Sequence, residues 1–157
     1  MADLLNLDEV FAMAVEIESN GGAFYRKAAE LQSGDQYKGF LMKLADMEED
    51  HKATFAAMRS GQAAVASEVS KEGALYFSGI AAGYDVEGSP AAADALTGSE
   101  SMAQIVDTAL DLEKKSILFY LGIKDLLSDA SAQEQVDRII AEEKKHVVTL
   151  NEMRQSL

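Results

Sequence analysis

Two short stretches decide how this chain is read, "EEDH" at residues 48–51 and "EEKKH" at residues 142–146. Between them they hold both histidines of the sequence, His51 and His146. Each histidine has a glutamate three positions before it, Glu48 and Glu143. On an α-helix, residues i and i+3 lie about 60° apart on one face. Each stretch can therefore aim one carboxylate and one imidazole at a common point. What the pair does depends on whether that face is buried.

The surrounding apolar spacing puts it inside. Alternating steps of three and four residues trace a helical stripe through Leu41, Leu44, Glu48, His51, Phe55 and Met58, and another through Val136, Ile139, Glu143, His146, Leu150 and Met153. Two more stripes run through Phe11, Ala14, Glu18, Gly21, Tyr25 and Ala28, and through Val106, Ala109, Glu113, Ser116, Tyr120 and Ile123. Each is apolar at both ends, carries one acid near its middle, and has no Lys or Arg. The same spacing turns Glu49, Asp50, Glu142, Lys144 and Lys145 toward solvent.

The two halves repeat. An offset of 95 residues carries Glu18 onto Glu113, Tyr25 onto Tyr120, Glu48 onto Glu143 and His51 onto His146. Phe24, Thr54, Met58 and Arg59 map onto Phe119, Thr149, Met153 and Arg154 in the same way. Four long helices are expected, at about 7–33, 36–60, 100–128 and 132–155. Asn6 with Glu9 forms a capping box for the first, and Gly34 ends it in the left-handed conformation. The second stops at Gly61. Thr97 or Ser99 caps the third, and Ser131 with Glu134 caps the fourth. Glu18 and His51 lie equally far from the turn at Gly34, and Glu113 and His146 equally far from "SDAS". In an antiparallel hairpin each acid then sits level with its partner's Glu–His pair. The fold class is all-α: a four-helix bundle of two antiparallel hairpins, forming one domain over 1–157. A long crossover at 61–98 must run back along roughly 35–40 Å of bundle. It contains an apolar island, "ALYFSGI".

Composition narrows the chemistry. The chain has 157 residues, 48% of them hydrophobic, and a formal net charge of −13. That charge argues against nucleic acid and anionic membrane surfaces as partners. No apolar run approaches the roughly 20 residues that a membrane-crossing helix needs. There is no cysteine, hence no disulfide, thiolate zinc site, iron–sulfur cluster or rubredoxin-type iron within these residues. The opening "MADLLNLDEV" has no basic region of the signal-peptide kind, so a cytoplasmic location is expected. Burying isolated carboxylates costs roughly several kcal/mol each. Two divalent cations would neutralise four glutamates directly, and mixed oxygen and imidazole donors suit iron or manganese, and zinc less specifically.

One Glu from each of two helices, with a Glu-x-x-His from each of the other two, resembles the ferritin-like di-iron carboxylate proteins. Within that superfamily, "EIESNGGAFYRKAAEL" and "DLEKKSILFY", together with "EEDH" and "EEKKH", resemble the rubrerythrin-type di-iron domain over about 7–60 and 100–155. The resemblance implies two iron ions, with manganese or zinc as substitutes. It makes Glu18 and Glu113 terminal ligands, Glu48 and Glu143 bridging ligands, and His51 and His146 one cap for each iron. Tyr25 and Tyr120 would donate hydrogen bonds to ligand carboxylates. It further implies reduction of hydrogen peroxide or O₂, or ferroxidase activity, an external electron-donor protein such as a rubredoxin, and a homodimer. A non-enzymatic iron-binding, buffering or sensing protein is the alternative. Many rubrerythrins carry a further Glu three residues after the third-helix ligand. Ser116 stands there instead, so peroxidase chemistry that needs the extra ligand is not expected.

Overall fold

The first helix is set by its cap. Asn6 Oδ1 accepts a hydrogen bond from the Glu9 amide at 2.9 Å, and Glu9 Oε2 accepts from the Asn6 amide at 2.8 Å. This satisfies two amides that the first helical turn cannot pair internally. A computed structural model describes residues 6–61, 69–81 and 92–157. They form α1 (Leu7–Glu30), α2 (Asp35–Gly61), α3 (Lys71–Ala81), α4 (Ala92–Ala95), α5 (Met102–Leu126) and α6 (Ala130–Ser156). No strand occurs among the described residues.

Three helix ends differ from expectation. α1 stops at Glu30, and its cap, Leu31, is right-handed (φ −82°). The Gln32 side chain then closes the turn onto the Ala28 carbonyl. Gly34 does not end the helix in the left-handed conformation, which occurs among the described residues only at Gly98 (φ +90°). Its carbonyl instead accepts from the Lys38 amide and opens α2. α5 is capped by Ser101 with Gln104, not by Thr97 or Ser99. Those two residues join Glu100 in a separate turn, where the Glu100 carboxylate accepts from the Thr97 and Gly98 amides. α6 is capped by Asp129, whose carboxylate accepts from the Ala132 amide at 2.8 Å, and not by a Ser131–Glu134 box. A charged acceptor outcompetes a nearby hydroxyl at the positive end of a helix.

The packing makes two hairpins, α1 with α2 and α5 with α6. Arg59 forks onto Asp8 at 2.8 and 3.0 Å, holding the end of α2 beside the start of α1. Arg154 on Asp107 does the same for the end of α6 and the start of α5. These exposed pairs are screened by solvent and serve mainly to set register. Across the hairpins, α1 faces α5 and α2 meets α6. Leu31, just past the end of α1, lies near Gly98, so α5 begins at the opposite end of the bundle from Gly61. The chain between them returns the bundle's length. Within it, α3 packs on α5 and α4 on α1. The island "ALYFSGI" is part of α3. Residues 62–68 and 82–91 of the expected crossover, Pro90 included, lie outside the described residues.

Two apolar clusters fill the bundle. Val10, Phe11, Ile17, Phe55, Phe119, Ile123 and Val136 form one, closed by Val69 and Phe77 from the crossover. Phe24, Ala28, Leu41, Leu44, Ile105, Val106 and Leu150 form the other, closed by Ala93. The acidic middles of the four stripes lie between them.

α3 is seated on α5 at a glycine. Phe77 packs on Phe119 with ring centroids 4.9 Å apart, and the Tyr76 hydroxyl donates to the Leu118 carbonyl at 2.5 Å. A methyl group at Gly122 would lie 2.6 Å from Tyr76 Cε1 and 2.9 Å from Phe77 Cε1. Gly122→Ala should therefore lower the unfolding free energy by about 1–3 kcal/mol through overpacking, despite its better helix propensity. Urea unfolding of the two proteins measures this, and an equally stable variant would contradict the seating.

Candidate metal centre

The stripes bring six polar residues into one layer. Glu18 comes from α1, Glu48 and His51 from α2, Glu113 from α5, and Glu143 and His146 from α6. All are buried, from Glu143 at 0% exposure to Glu48 at 4%. Glu16, two residues from Glu18 and on the other side of α1, is exposed.

The six divide into two overlapping donor sets. Glu18, Glu48, His51 and Glu143 each offer one ligand atom, all within 4.8 Å of one another, and Glu48, Glu113, Glu143 and His146 do the same. Glu48 and Glu143 belong to both. Glu143 spans the pair directly, with Oε1 2.9 Å from His51 Nδ1 and Oε2 3.0 Å from His146 Nδ1. The outer carboxylates stand one on each side, Glu18 3.6 Å from His51 Nδ1 and Glu113 3.3 Å from His146 Nδ1.

These short distances are not hydrogen bonds. Glu18 Oε2, Glu48 Oε1, both Glu143 oxygens and both Nδ1 atoms are buried with no hydrogen-bond partner. Buried polar groups are normally satisfied, and each orphan costs about 1–3 kcal/mol or more when charged. Here the orphans converge on one another and are all metal-binding atom types. The donor set fits two divalent cations: four carboxylates balance their charge, and both histidines can supply neutral imidazole.

Neighbouring side chains fix the donors' orientation. The Tyr25 hydroxyl donates to Glu113 Oε1 at 2.5 Å, and the Tyr120 hydroxyl donates to Glu18 Oε1. Each tyrosine thus serves a carboxylate of the other hairpin. Both hydroxyls are fully buried and their pKa values are pushed up, by burial first and by the nearby carboxylates next, so they remain donors. Gly21 lets α1 approach α2, since a methyl group there would lie 3.2 Å from Glu48 Oε2. The helix is continuous through Gly21 and Gly22. The Ser116 hydroxyl bonds back to the Leu112 carbonyl at 3.0 Å.

Two contacts escape a helix-by-helix reading. Glu142, expected on the solvated face, reaches across to His51 Nε2 at 2.6 Å while its side chain stays 45% exposed. Met47 Sδ lies 3.3 Å from His146 Nε2. The level rule does not reach either contact, because α2 and α6 belong to different hairpins and no turn fixes their register.

A solved structure shares this architecture. A crystal structure from Thermotoga maritima, described as a candidate ferritin-like diiron-carboxylate protein, matches with a TM-score of 0.80 and 27% identity, covering 99% of this chain and 98% of that one. The fold is ferritin-like. No protein-family model and no curated protein matches the sequence. The buried Glu and His cluster of this ferritin-like bundle has the donor set of a dinuclear metal centre. No helix among the described residues is long and apolar enough to cross a membrane.

Without metal, protons must balance the cluster. Burial raises Glu18, reinforced by Glu48, and burial raises Glu113, reinforced by Glu143. Burial works against charge on both histidines, but Glu143 and Glu18 hold His51 up at about 11, and Glu113, Glu143 and Glu48 hold His146 up at about 12. Burial also opposes charge on Glu143, yet His146 and His51 outweigh it and hold that carboxyl low. A histidine raised from 6.5 to about 11 contributes stability that is complete below pH 6.5 and lost as pH climbs toward 11. The raised carboxyls act in the same direction, losing their contribution as pH climbs above 4.5. The melting temperature of chelator-treated protein should therefore fall as pH rises above 6.5. A divalent ion replaces the Nδ1 protons, so loading should release protons, tighten with pH and flatten that fall. Melting curves with chelator and with Mn²⁺ check the sign; a metal-free protein that gains stability toward alkaline pH would reverse it.

Proposed function

We propose that this protein is a di-iron carboxylate oxidoreductase of the rubrerythrin type that reduces hydrogen peroxide or O₂. The observation that carries the reading is the pair of overlapping donor sets sharing Glu48 and Glu143. Two shared carboxylates would hold two ions close enough to act on one oxidant. When bound, two Fe²⁺ ions supply one electron each, the number that a two-electron oxidant requires. Manganese or zinc would fill the same positions with different chemistry.

The chain's own residues supply placement and a dry setting. Glu18 and His51 would hold one ion and Glu113 and His146 the other. Tyr25 and Tyr120 keep one oxygen of each outer carboxylate engaged, leaving Glu18 Oε2 free to face the cluster. The two apolar clusters above and below exclude water and lower the local dielectric. Electrons would come from a donor protein outside these 157 residues, because the chain has no cysteine from which to build a rubredoxin-type iron. Ser116, in place of a further acid, favours a chemistry in which the six donors act without a seventh. A cytoplasmic setting and, from the rubrerythrin resemblance, a homodimer belong to the same proposal, and the net charge of −13 argues against nucleic acid and anionic membrane surfaces as partners.

Anaerobic loading with Fe²⁺ should give about two ions per chain, as two donor sets require. Adding hydrogen peroxide should then consume it rapidly and change the absorption spectrum of the iron-loaded protein. Tight binding with no turnover, even with an artificial reductant, would favour an iron-binding or sensing protein over an enzyme. Glu18→Ala should lose about one equivalent of iron, whereas Glu16→Ala on the exposed side of α1 should keep both. Equal loss in the two variants would sink the ligand assignment.

A further inference from the structure

The internal repeat is even-handed at the donors but not everywhere around them, since Gly21 maps onto Ser116. Glu18, Tyr25, Glu48 and His51 all reappear as the same residue type 95 positions later. The group facing each histidine's outer nitrogen does not. His51 Nε2 meets the Glu142 carboxylate at 2.6 Å, and His146 Nε2 meets the Met47 thioether at 3.3 Å. Met47 and Glu142 are themselves equivalent under the 95-residue offset, so one structural position carries opposite chemistry in the two hairpins.

The difference bears on the metal-facing nitrogens. A carboxylate accepting the Nε2 proton makes a charge-assisted hydrogen bond. It fixes the tautomer with Nδ1 unprotonated and raises the basicity of that lone pair. It also adds a negative charge beside that half of the cluster. A thioether sulfur is a weak, uncharged acceptor and does little of either. Both Nδ1 atoms are buried and point into the cluster without a hydrogen-bond partner, so the contrast passes straight to the ligand atoms.

We infer that the two metal positions are unequal: the position built on Glu18 and His51 binds first and tightly because Glu142 backs its histidine, and the position built on Glu113 and His146 is the weaker, exchangeable one because Met47 backs its histidine. This rests on the dinuclear reading above. Losing such a partner typically changes metal affinity about 10–100-fold. The 45% exposure of the Glu142 side chain places the effect toward the lower part of that range.

Calorimetric titration of the metal-free full chain with Co²⁺ tests it. Native protein should show two binding steps separated by about tenfold or more. Glu142→Met should weaken the first step by about that factor and bring the two together, while leaving the second in place. Met47→Glu should strengthen the second step, and because it adds rather than removes a contact it covers the case in which Glu142→Met folds poorly. At one equivalent of Co²⁺, NMR should show paramagnetically shifted ring protons from His51 and not from His146, assigned by their loss in His51→Asn. A purely structural role for Glu142 would lower the melting temperature without changing which histidine shifts first. Two ions binding with equal affinity, or simultaneous shifts from both rings, would overturn the inequality and leave the dinuclear centre standing. No Co²⁺ binding at all would overturn both.

Discussion

Four carboxylates closed between two apolar clusters are the constraint from which the rest of this structure follows. A buried carboxylate needs a counter-charge, and the four inward stripes contain no lysine or arginine. Their ion-pair partners are the two histidines. Every other feature of the layer serves that problem. The tyrosines satisfy one oxygen on each outer glutamate, Glu143 divides its two oxygens between the two imidazoles, and the remaining lone pairs converge. Replacing such buried charges by well-packed apolar groups is often neutral or stabilising. The sequence therefore accepts a standing cost in the middle of its core and recovers stability at both ends, where Phe11, Phe55, Phe119 and Tyr120 on one side and Phe24, Tyr25 and Leu41 on the other are fully closed.

That division explains what could be read before any coordinates. The stripes are long and regular, and an acid on an apolar stripe is conspicuous because burial penalises it. The four helices, the hairpin pairing and the meeting of the six donors follow from periodicity and from the level rule. Helix ends were less legible. "TGSES" offers Thr97, Ser99 and Ser101 as caps with nearly equal intrinsic merit, and "SDAS" offers Asp129 and Ser131. Local chemistry chose among them: the Glu100 carboxylate took up Thr97 and Gly98 in a turn, and the charge on Asp129 prevailed over a hydroxyl.

Glu142 was misplaced for a different reason. A helical wheel assigns each residue an angle on its own helix, and by that angle Glu142 faces water. A glutamate side chain is long enough to cross to the next helix, and α2 approaches closely enough for the reach. Contacts of this kind depend on the spacing between two helices, a quantity absent from either one alone. The crossover was opaque for a related reason. Helix α3 has a strongly apolar composition but only a short period to display, and its seat is defined by the missing side chain at Gly122 on another element.

The exchange of tyrosines between hairpins has one more consequence. Tyr25 serves Glu113 and Tyr120 serves Glu18, so neither hairpin carries the donor for its own outer carboxylate. A single hairpin could recover everything it lacks by pairing with an identical copy, since the second half repeats the first residue for residue at the donors. Such a symmetric pair, however, must present the same side chain to both histidines. Covalent linkage of the two halves removes that obligation. It lets position 47 and its counterpart at 142 drift apart while all the ligands stay matched, and a chain with that freedom can give two chemically alike sites different work.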